Sequence, residues 1–368
     1  MTSAHKDNLF RAESELIIDK RRKDKAEKNK RLGDPITLTG VPIDLHVRGK
    51  YAWLAENSHS ARKVDLEASR TTRVFRGHGG PVTSLAFYAK PGEREVLITG
   101  SWDKTIKLWD TETKAVISST LAHADFVKTL LVLPALNVLV SGSSDKSVRF
   151  WDLASVDAAS PLQSLGSISS HTRPVESLSA YIETADDPHA DTTYVLFTAD
   201  SMGVIKVWRI RRDDAEMHPR VRAEPIDELV YHRTGINELV YGNGHVWTAS
   251  TDESMQVHAY PPSEKQKIYP PITHRTAFKA LLPLPIQPQL DAEEFPYLLG
   301  GSGDVFRVYD ISSLDEPELV REVDGHWHDV THLRLWLRKT QGGQGHEVWI
   351  VSAGLDGTLR KWKLSGTS

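Results

Sequence analysis

The stretch LITGSWDKTIKLWD, Leu97 to Asp110, reads as an apolar strand, a tight turn carrying Asp103, and an alternating strand closed by Trp109. It recurs. LVSGSSDKSVRFWD (Leu139 to Asp152), LFTADSMGVIKVW (Leu196 to Trp208) and IVSAGLDGTLRKW (Ile350 to Trp362) align with it without gaps. VWTASTDESMQVH (Val246 to His258) and LLGGSGDVFRVYD (Leu298 to Asp310) are weaker copies, the second one residue short. Upstream of the copies stand His78, His123, His171, His232, His274 and His326. Each is followed four residues later by Val, Ile or Phe and seven later by Leu. Successive histidines lie 42 to 61 residues apart. Self-similarity at this period signals a repeat architecture in which no unit buries its apolar face alone.

These residues resemble the WD-repeat β-propeller family, with Trp109-Asp110 and Trp151-Asp152 as its name-giving dipeptide. The resemblance covers roughly Ile36 to Leu364. It implies that each repeat supplies three inner strands of a four-stranded blade, together with the outer strand of a neighbour. It also implies a buried hydrogen-bonded set in each blade. By position these sets are His78, Thr99, Asp103 and Trp109; His123, Ser141, Asp145 and Trp151; and His326, Ser352, Asp356 and Trp362. A buried indole N–H and a buried carboxylate each need a partner, and a shared network supplies them. Three copies depart: Met202 stands at the Asp position, His258 at the Trp position and Gly300 at the Ser/Thr position. Those blades are expected to be less rigid.

The sixth histidine unit stops just after its third strand, at Trp362-Lys363-Leu364, which leaves an outer edge bare. Upstream of His78, segments 41–47, 51–56, 61–66 and 71–75 read as four strands without the histidine marker. The expected fold is therefore all-β, a seven-bladed propeller over residues 35–364. Residues 35–40 are left to pair with 357–363 and close the ring, which covers edges that would otherwise invite aggregation. A charged helical tail, 1–34, precedes the ring, and a short tail, 365–368, follows it.

The chain has 368 residues, 39% of them hydrophobic, and no cysteine. Disulfides and cysteine-ligated zinc are excluded, and a reducing compartment fits. No apolar run is long enough for a bilayer, no secretory signal is visible, and a net charge of −4 argues against broad nucleic-acid binding by the ring. Residues 7–31 read helical. Residues 20–31 hold eight Lys or Arg against two acids. Such a run is a solvated face, an import signal carried by Arg21, Arg22, Lys23, Lys28, Lys30 and Arg31, or an arm for nucleic acid or an acidic partner. Leu9, Phe10, Leu16 and Ile17 give only a narrow apolar patch.

In a propeller the histidine loops and Asp turns share one face, the top. Insertions at 183–192, 211–225, 285–296 and 338–346 belong to the bottom. The latch begins there too, so the basic helix is expected at the bottom, forming one docking surface with Asp186, Asp187, Asp291, Glu293 and Glu294. Around the top opening, Trp102, Phe126, Trp327 and Leu355 form an apolar arc and Arg173, Arg233 and Arg275 a basic one. Exposed aromatics and arginines are enriched in interface hot spots, so a peptide or loop with an apolar anchor and acidic flanks fits both arcs. The plainer reading is that the aromatics pack on neighbouring loops.

No phosphate loop, nucleophile elbow or His-Glu-x-x-His pair is present. His326, His328 and His332 come nearest to a metal cluster, but the repeat network claims His326; no metal, cofactor or catalysis is expected. The expected function is a non-catalytic interaction scaffold or adaptor in a multiprotein complex, intracellular, in nucleus or cytoplasm. A substrate receptor of a cullin-type ubiquitin ligase is one alternative, although Trp208-Arg209-Ile210-Arg211 only partly matches that signature. A regulatory ring of a trafficking or coat complex is another. Partners are expected to be proteins, with no membrane and with nucleic acid only through the basic tail. A closed ring offers no free sheet edge, so a monomeric ring within a hetero-complex is expected.

Overall fold

The computed structural model describes residues 13–89, 94–154, 160–183, 192–214, 219–262, 269–313, 316–340 and 345–364. Seven four-stranded antiparallel sheets follow one another around a central axis. Their innermost strands are Pro42–Arg48, Val82–Tyr88, Val127–Leu133, Val175–Glu183, Ile236–Gly242, Phe278–Pro283 and Val330–Lys339. The outer strands of the first six blades are Arg70–Arg76, Val116–Leu121, Ser164–Ile168, Arg220–Val230, Ile272–Thr273 and Glu318–Asp324. The seventh outer strand is Ile36–Thr37, paired Ile36 to Leu359 and Thr37 to Thr358, so the chain's beginning closes its end. The seven-bladed, latched ring read from the repeats is the fold.

Each apolar cluster straddles two neighbouring blades. Ile98, Ile106 and Leu108 of the second blade pack with Val127, Leu139 and Trp151 of the third. The latch residues Ile36 and Leu38 pack with Leu45 and Leu54 of the first blade and Val351 and Leu359 of the seventh. Second strands are therefore covered on both faces, and Val138–Ser143 is buried along its whole length. Such a strand loses polar alternation and reads as a continuous apolar and small-residue run, as LVSG does.

A β-bulge interrupts every innermost strand at the same place, one residue in, placing an extra residue between Val82 and Ser84, Val127 and Thr129, or Ile236 and Glu238. Bulges re-aim side chains. Here they reach the next blade: Thr83 Oγ1 donates to the Val127 carbonyl at 2.6 Å and Asn237 Nδ2 to the Phe278 carbonyl at 2.7 Å. Lys128 pairs with Glu176 at 3.0 Å and Lys279 with Asp329 at 2.6 Å.

The N-terminal helix, Glu13–Lys28, is not at the bottom. Residues 29–33 fold it back along the ring, with the Lys361 N–H donating to the Gly33 carbonyl at 2.6 Å. Gly33 has φ +68° and lies over Trp362, where a Cβ would come within 2.6 Å of the indole, so only glycine fits this reversal. The helix then reaches the top rim. Lys25 bridges Asp304, in the Asp turn of the sixth blade, and Asp324, beside the His326 loop, at 2.6 and 2.8 Å. Arg360 donates to the Asn29 carbonyl at 2.9 Å, placing a cation at the helix C-terminus where its dipole favours one. Leu9, Phe10, Asp186, Asp187 and the tail at 365–368 lie outside the described residues. In the insertion at 211–225 the strands stay paired out to Asp213 and Arg220. That at 338–346 likewise continues its strands to Lys339 and His346.

Candidate functional site

The top face is held by repeated polar networks. In the second blade Thr99 Oγ1 lies 2.7 Å from His78 Nε2 and accepts from the Trp109 indole at 2.8 Å, while His78 Nδ1 lies 2.9 Å from Asp103. A carboxylate only accepts, so the bond to Asp103 places a ring proton on Nδ1. The third blade repeats this with His123, Ser141, Asp145 and Trp151 at 2.7 to 3.0 Å. The seventh does so with His326, Ser352, Asp356 and Trp362 at 2.8 to 3.0 Å.

The three irregular copies depart in different ways. In the fourth blade the Met202 side chain leaves no gap in the network, because Asp200, two residues earlier, bonds His171 at 3.1 Å and accepts the Met202 N–H at 2.9 Å. With Thr198 and Trp208 the set is complete, so the carboxylate read as missing at Met202 is present in this blade. In the fifth, His232, Thr248 and Asp252 join at 2.7 and 3.0 Å, but His258 replaces the indole and stacks on Tyr231 at 3.4 Å. Where a Trp is present the residue before the histidine is small: Gly77, Ala122, Ser170 or Gly325. A Cβ on Gly325 would meet Trp362 at 2.4 Å. Tyr231 thus fills the volume that the missing indole vacates. His258→Trp alone is expected to clash and destabilise by about 2 kcal/mol. Tyr231→Gly/His258→Trp is expected to recover most of that, giving a coupling above about 1 kcal/mol in a urea double-mutant cycle.

In the sixth blade Gly300 removes the hydroxyl, and His274 Nδ1 turns to Thr276 and Ser302, each at 3.1 Å. Its turn carboxylate, Asp304, is released to hold Lys25.

These networks set the acid response. Burial opposes ionisation of Asp145, but Ser147, His123 and the Ala124 N–H hold its carboxyl at about 2. Burial, with His232 adding to it, pulls His258 down to about 4; burial and Arg334 do the same to His332. From 6.5 down to about 4 the unfolded chain binds protons at these two histidines that the folded chain refuses. Stability is therefore full above pH 6.5 and lost as pH falls through that window, on the order of 3 kcal/mol for each histidine. Depressed carboxylates such as Asp145 extend the loss below pH 4. Urea midpoints at pH 7.5, 5.5 and 4 test this, and His258→Gln/His332→Gln should flatten the upper segment.

Above the networks lie the residues that face solvent. In the second, third, fifth and seventh blades the carboxylate that holds the histidine also accepts the next residue's N–H, from Arg233 at 3.0 Å and Trp327 at 3.2 Å in the last two, so the scaffold aims those side chains. Trp102 and Phe126 stack on each other at 4.8 Å and 13° while remaining 42% and 36% exposed. Arg173, Arg233 and Arg275 are exposed, and Leu355 is half-buried. Trp327 is also half-buried and lines a cleft of about 280 Å³ with Ile18, Arg21 and Arg22, so the helix roofs the seventh-blade end of the apolar arc. Lys23, Lys28, Lys30 and Arg31 are exposed. Sequence reasoning missed Leu121, Met202 and Val230, exposed at 73%, 50% and 64%, which sit in top-face turns or end outer strands there. Single apolar residues at strand ends carry no periodic signal.

The central channel, about 410 Å³, is lined by the innermost strands. Arg334 of the seventh blade reaches Glu238 of the fifth at 2.7 Å and the Leu45 carbonyl of the first at 2.8 Å. Among the described residues no group of three or more His, Asp or Glu is placed to hold a metal ion. No described helix is long and apolar enough to cross a membrane.

The family model for the WD domain, G-beta repeat, matches residues 69–110 and 115–152. Each match takes one outer strand and the three inner strands that follow, the offset that interlocks the blades. The chain carries WD repeats in a seven-bladed propeller. An uncharacterized WD repeat-containing protein of Schizosaccharomyces pombe is 25% identical over 97% of this chain and 88% of its own length. Transcription initiation factor TFIID subunit 5 of Caenorhabditis elegans is 36% identical over 27% of this chain and 14% of its own. A probable E3 ubiquitin ligase complex SCF subunit, sconB, of Aspergillus fumigatus is 51% identical over 12% and 6%. The crystal structure of the computationally designed Ika8 protein superposes with a TM-score of 0.57 at 20% identity, covering 88% of this WD-repeat chain and 83% of that one. It shares the fold.

Proposed function

We propose that this WD-repeat ring is a non-catalytic interaction scaffold. Its top face takes a partner's peptide or loop carrying an apolar anchor and acidic flanks. The supporting observation is the exposed Trp102–Phe126 stack. A stacked aromatic pair left in water, on loops fixed by buried networks, is a preordered anchor site, and the exposed Arg173, Arg233 and Arg275 supply the complementary charge. The exposed Lys23, Lys28, Lys30 and Arg31 support nuclear entry as part of the same reading. The sconB match covers 43 residues, about one repeat, and speaks for the repeat rather than for ligase membership.

Affinity purification of the full chain, quantified by mass spectrometry, tests the scaffold reading. At least one stoichiometric partner should fall by about tenfold or more with Trp102→Ala/Phe126→Ala and with Arg233→Glu, at unchanged melting temperature. Retention of every partner by both folded variants rejects it. Lys28→Ala/Lys30→Ala/Arg31→Ala should shift a fluorescent fusion toward the cytoplasm.

A further inference from the structure

A second concavity opens on the opposite face, between the fifth and sixth blades. Its origin is legible in the chain. The fifth blade's outer strand is only Ile272–Thr273, pairing with Met255 and Ser254 alone. Pro270 and Pro271 stand just before it, and proline has no N–H to continue a ladder. The preceding Tyr269 instead crosses to the sixth blade, where its hydroxyl donates to the Ile311 carbonyl at 2.9 Å.

A cavity of about 540 Å³ results, floored by Trp247, Tyr269 and Ile311. That volume lies within the range of roughly 300 to 1,000 Å³ usual for ligand pockets. The insertion at 285–296 forms its wall, contributing Pro285, Ala292 and Pro296. This wall is fixed rather than floppy. Asn243 Nδ2 donates to the Pro285 carbonyl at 2.8 Å, the Glu293 N–H to Asp291 at 2.9 Å, and Phe295 is buried beneath. The lip is acidic: Glu293 lines the cavity, Asp291 and Glu294 are exposed beside it, and no Lys or Arg is among the described lining residues.

We propose that this cavity is a second docking site, for a segment of a partner protein that carries one bulky apolar side chain flanked by lysine or arginine. The apolar floor takes the anchor and the carboxylates take the flanks. An acidic lip repels phosphate backbones and anionic headgroups, so the geometry favours a peptide over nucleic acid or membrane. The site rests on the scaffold reading only in being a binding site; it is spatially separate from the top face. The protein would then hold two unlike segments at once, an acidic-flanked one above and a basic-flanked one below.

Fluorescence anisotropy of labelled 12-residue peptides against the full chain tests it. The probes place Trp or Leu at the centre, with arginine flanks in one set and glutamate flanks in the other. Arginine-flanked probes should bind, and Ala292→Trp, which fills the cavity from an exposed wall position, should weaken them about tenfold or more. Glu293→Lys/Glu294→Lys should do the same without touching the floor, and decides the matter if the tryptophan perturbs folding. Trp102→Ala/Phe126→Ala should leave this binding unchanged even where it abolishes the top-face partner. Equal binding of glutamate-flanked probes, no binding up to about 1 mM, or indifference to the bottom-face variants overturns the proposal.

Discussion

Deleting residues 1–40 should cost the ring on the order of 5 kcal/mol, whereas deleting residues 1–28 should cost about 1 kcal/mol. The longer deletion strips Ile36 and Leu38 from the cluster shared by the first and seventh blades. Each such side chain contributes about 1.5 to 3 kcal/mol when buried. It also removes the partner of the last strand, Thr358–Lys363, leaving a bare edge. The shorter deletion leaves the latch in place and removes mainly the half-exposed ion pairs of Lys25. Against a typical total of about 5 to 15 kcal/mol, the first loss is ruinous and the second tolerable. Urea unfolding and concentration-dependent light scattering distinguish them. A longer deletion that stayed soluble with an unmoved midpoint would show that closure is not what holds the ends.

Arg62→Met should destabilise by about 3 to 5 kcal/mol. The first blade has no histidine network, and in its place Glu56, fully buried, receives Arg62 through Nε at 2.7 Å and Nη2 at 3.0 Å. Ser58 and Ser60 donate to the same carboxylate at 3.0 and 3.1 Å. Removing the guanidinium strands a buried carboxylate, while removing both charges strands none. Glu56→Leu/Arg62→Leu should therefore recover most of the loss, since Ser58 and Ser60 lie 3.0 Å apart and one hydroxyl donates to the other. Arg62→Lys should fall between, because an ammonium cannot reproduce the two-pronged contact. A double variant as unstable as Arg62→Met would sink this account.

The blade count and the latch were legible because burial repeats: each unit must place the same residue types at the same depth, and that periodicity survives in the string. The network of the fourth blade was misread at Met202 because hydrogen bonding asks for a carboxylate in space, and Asp200 supplies it from another position of the turn. The helix was assigned to the wrong face because the reversal at Gly33 depends on its close approach to Trp362, more than three hundred residues away. The Glu56–Arg62 pair gave no signal, as one acid and one base six residues apart are ordinary in any strand hairpin. The bottom cavity depends on what prolines prevent rather than on what any motif builds.

Four side chains at the innermost-strand bulges reach the blade ahead: second blade to third, third to fourth, fifth to sixth, sixth to seventh. The torus therefore has a sense of rotation. Truncating Asn237 loosens the joint to the sixth blade, while the joint to the fourth keeps the bonds from the Leu239 and Tyr241 N–H groups to Ser177 and Ser179.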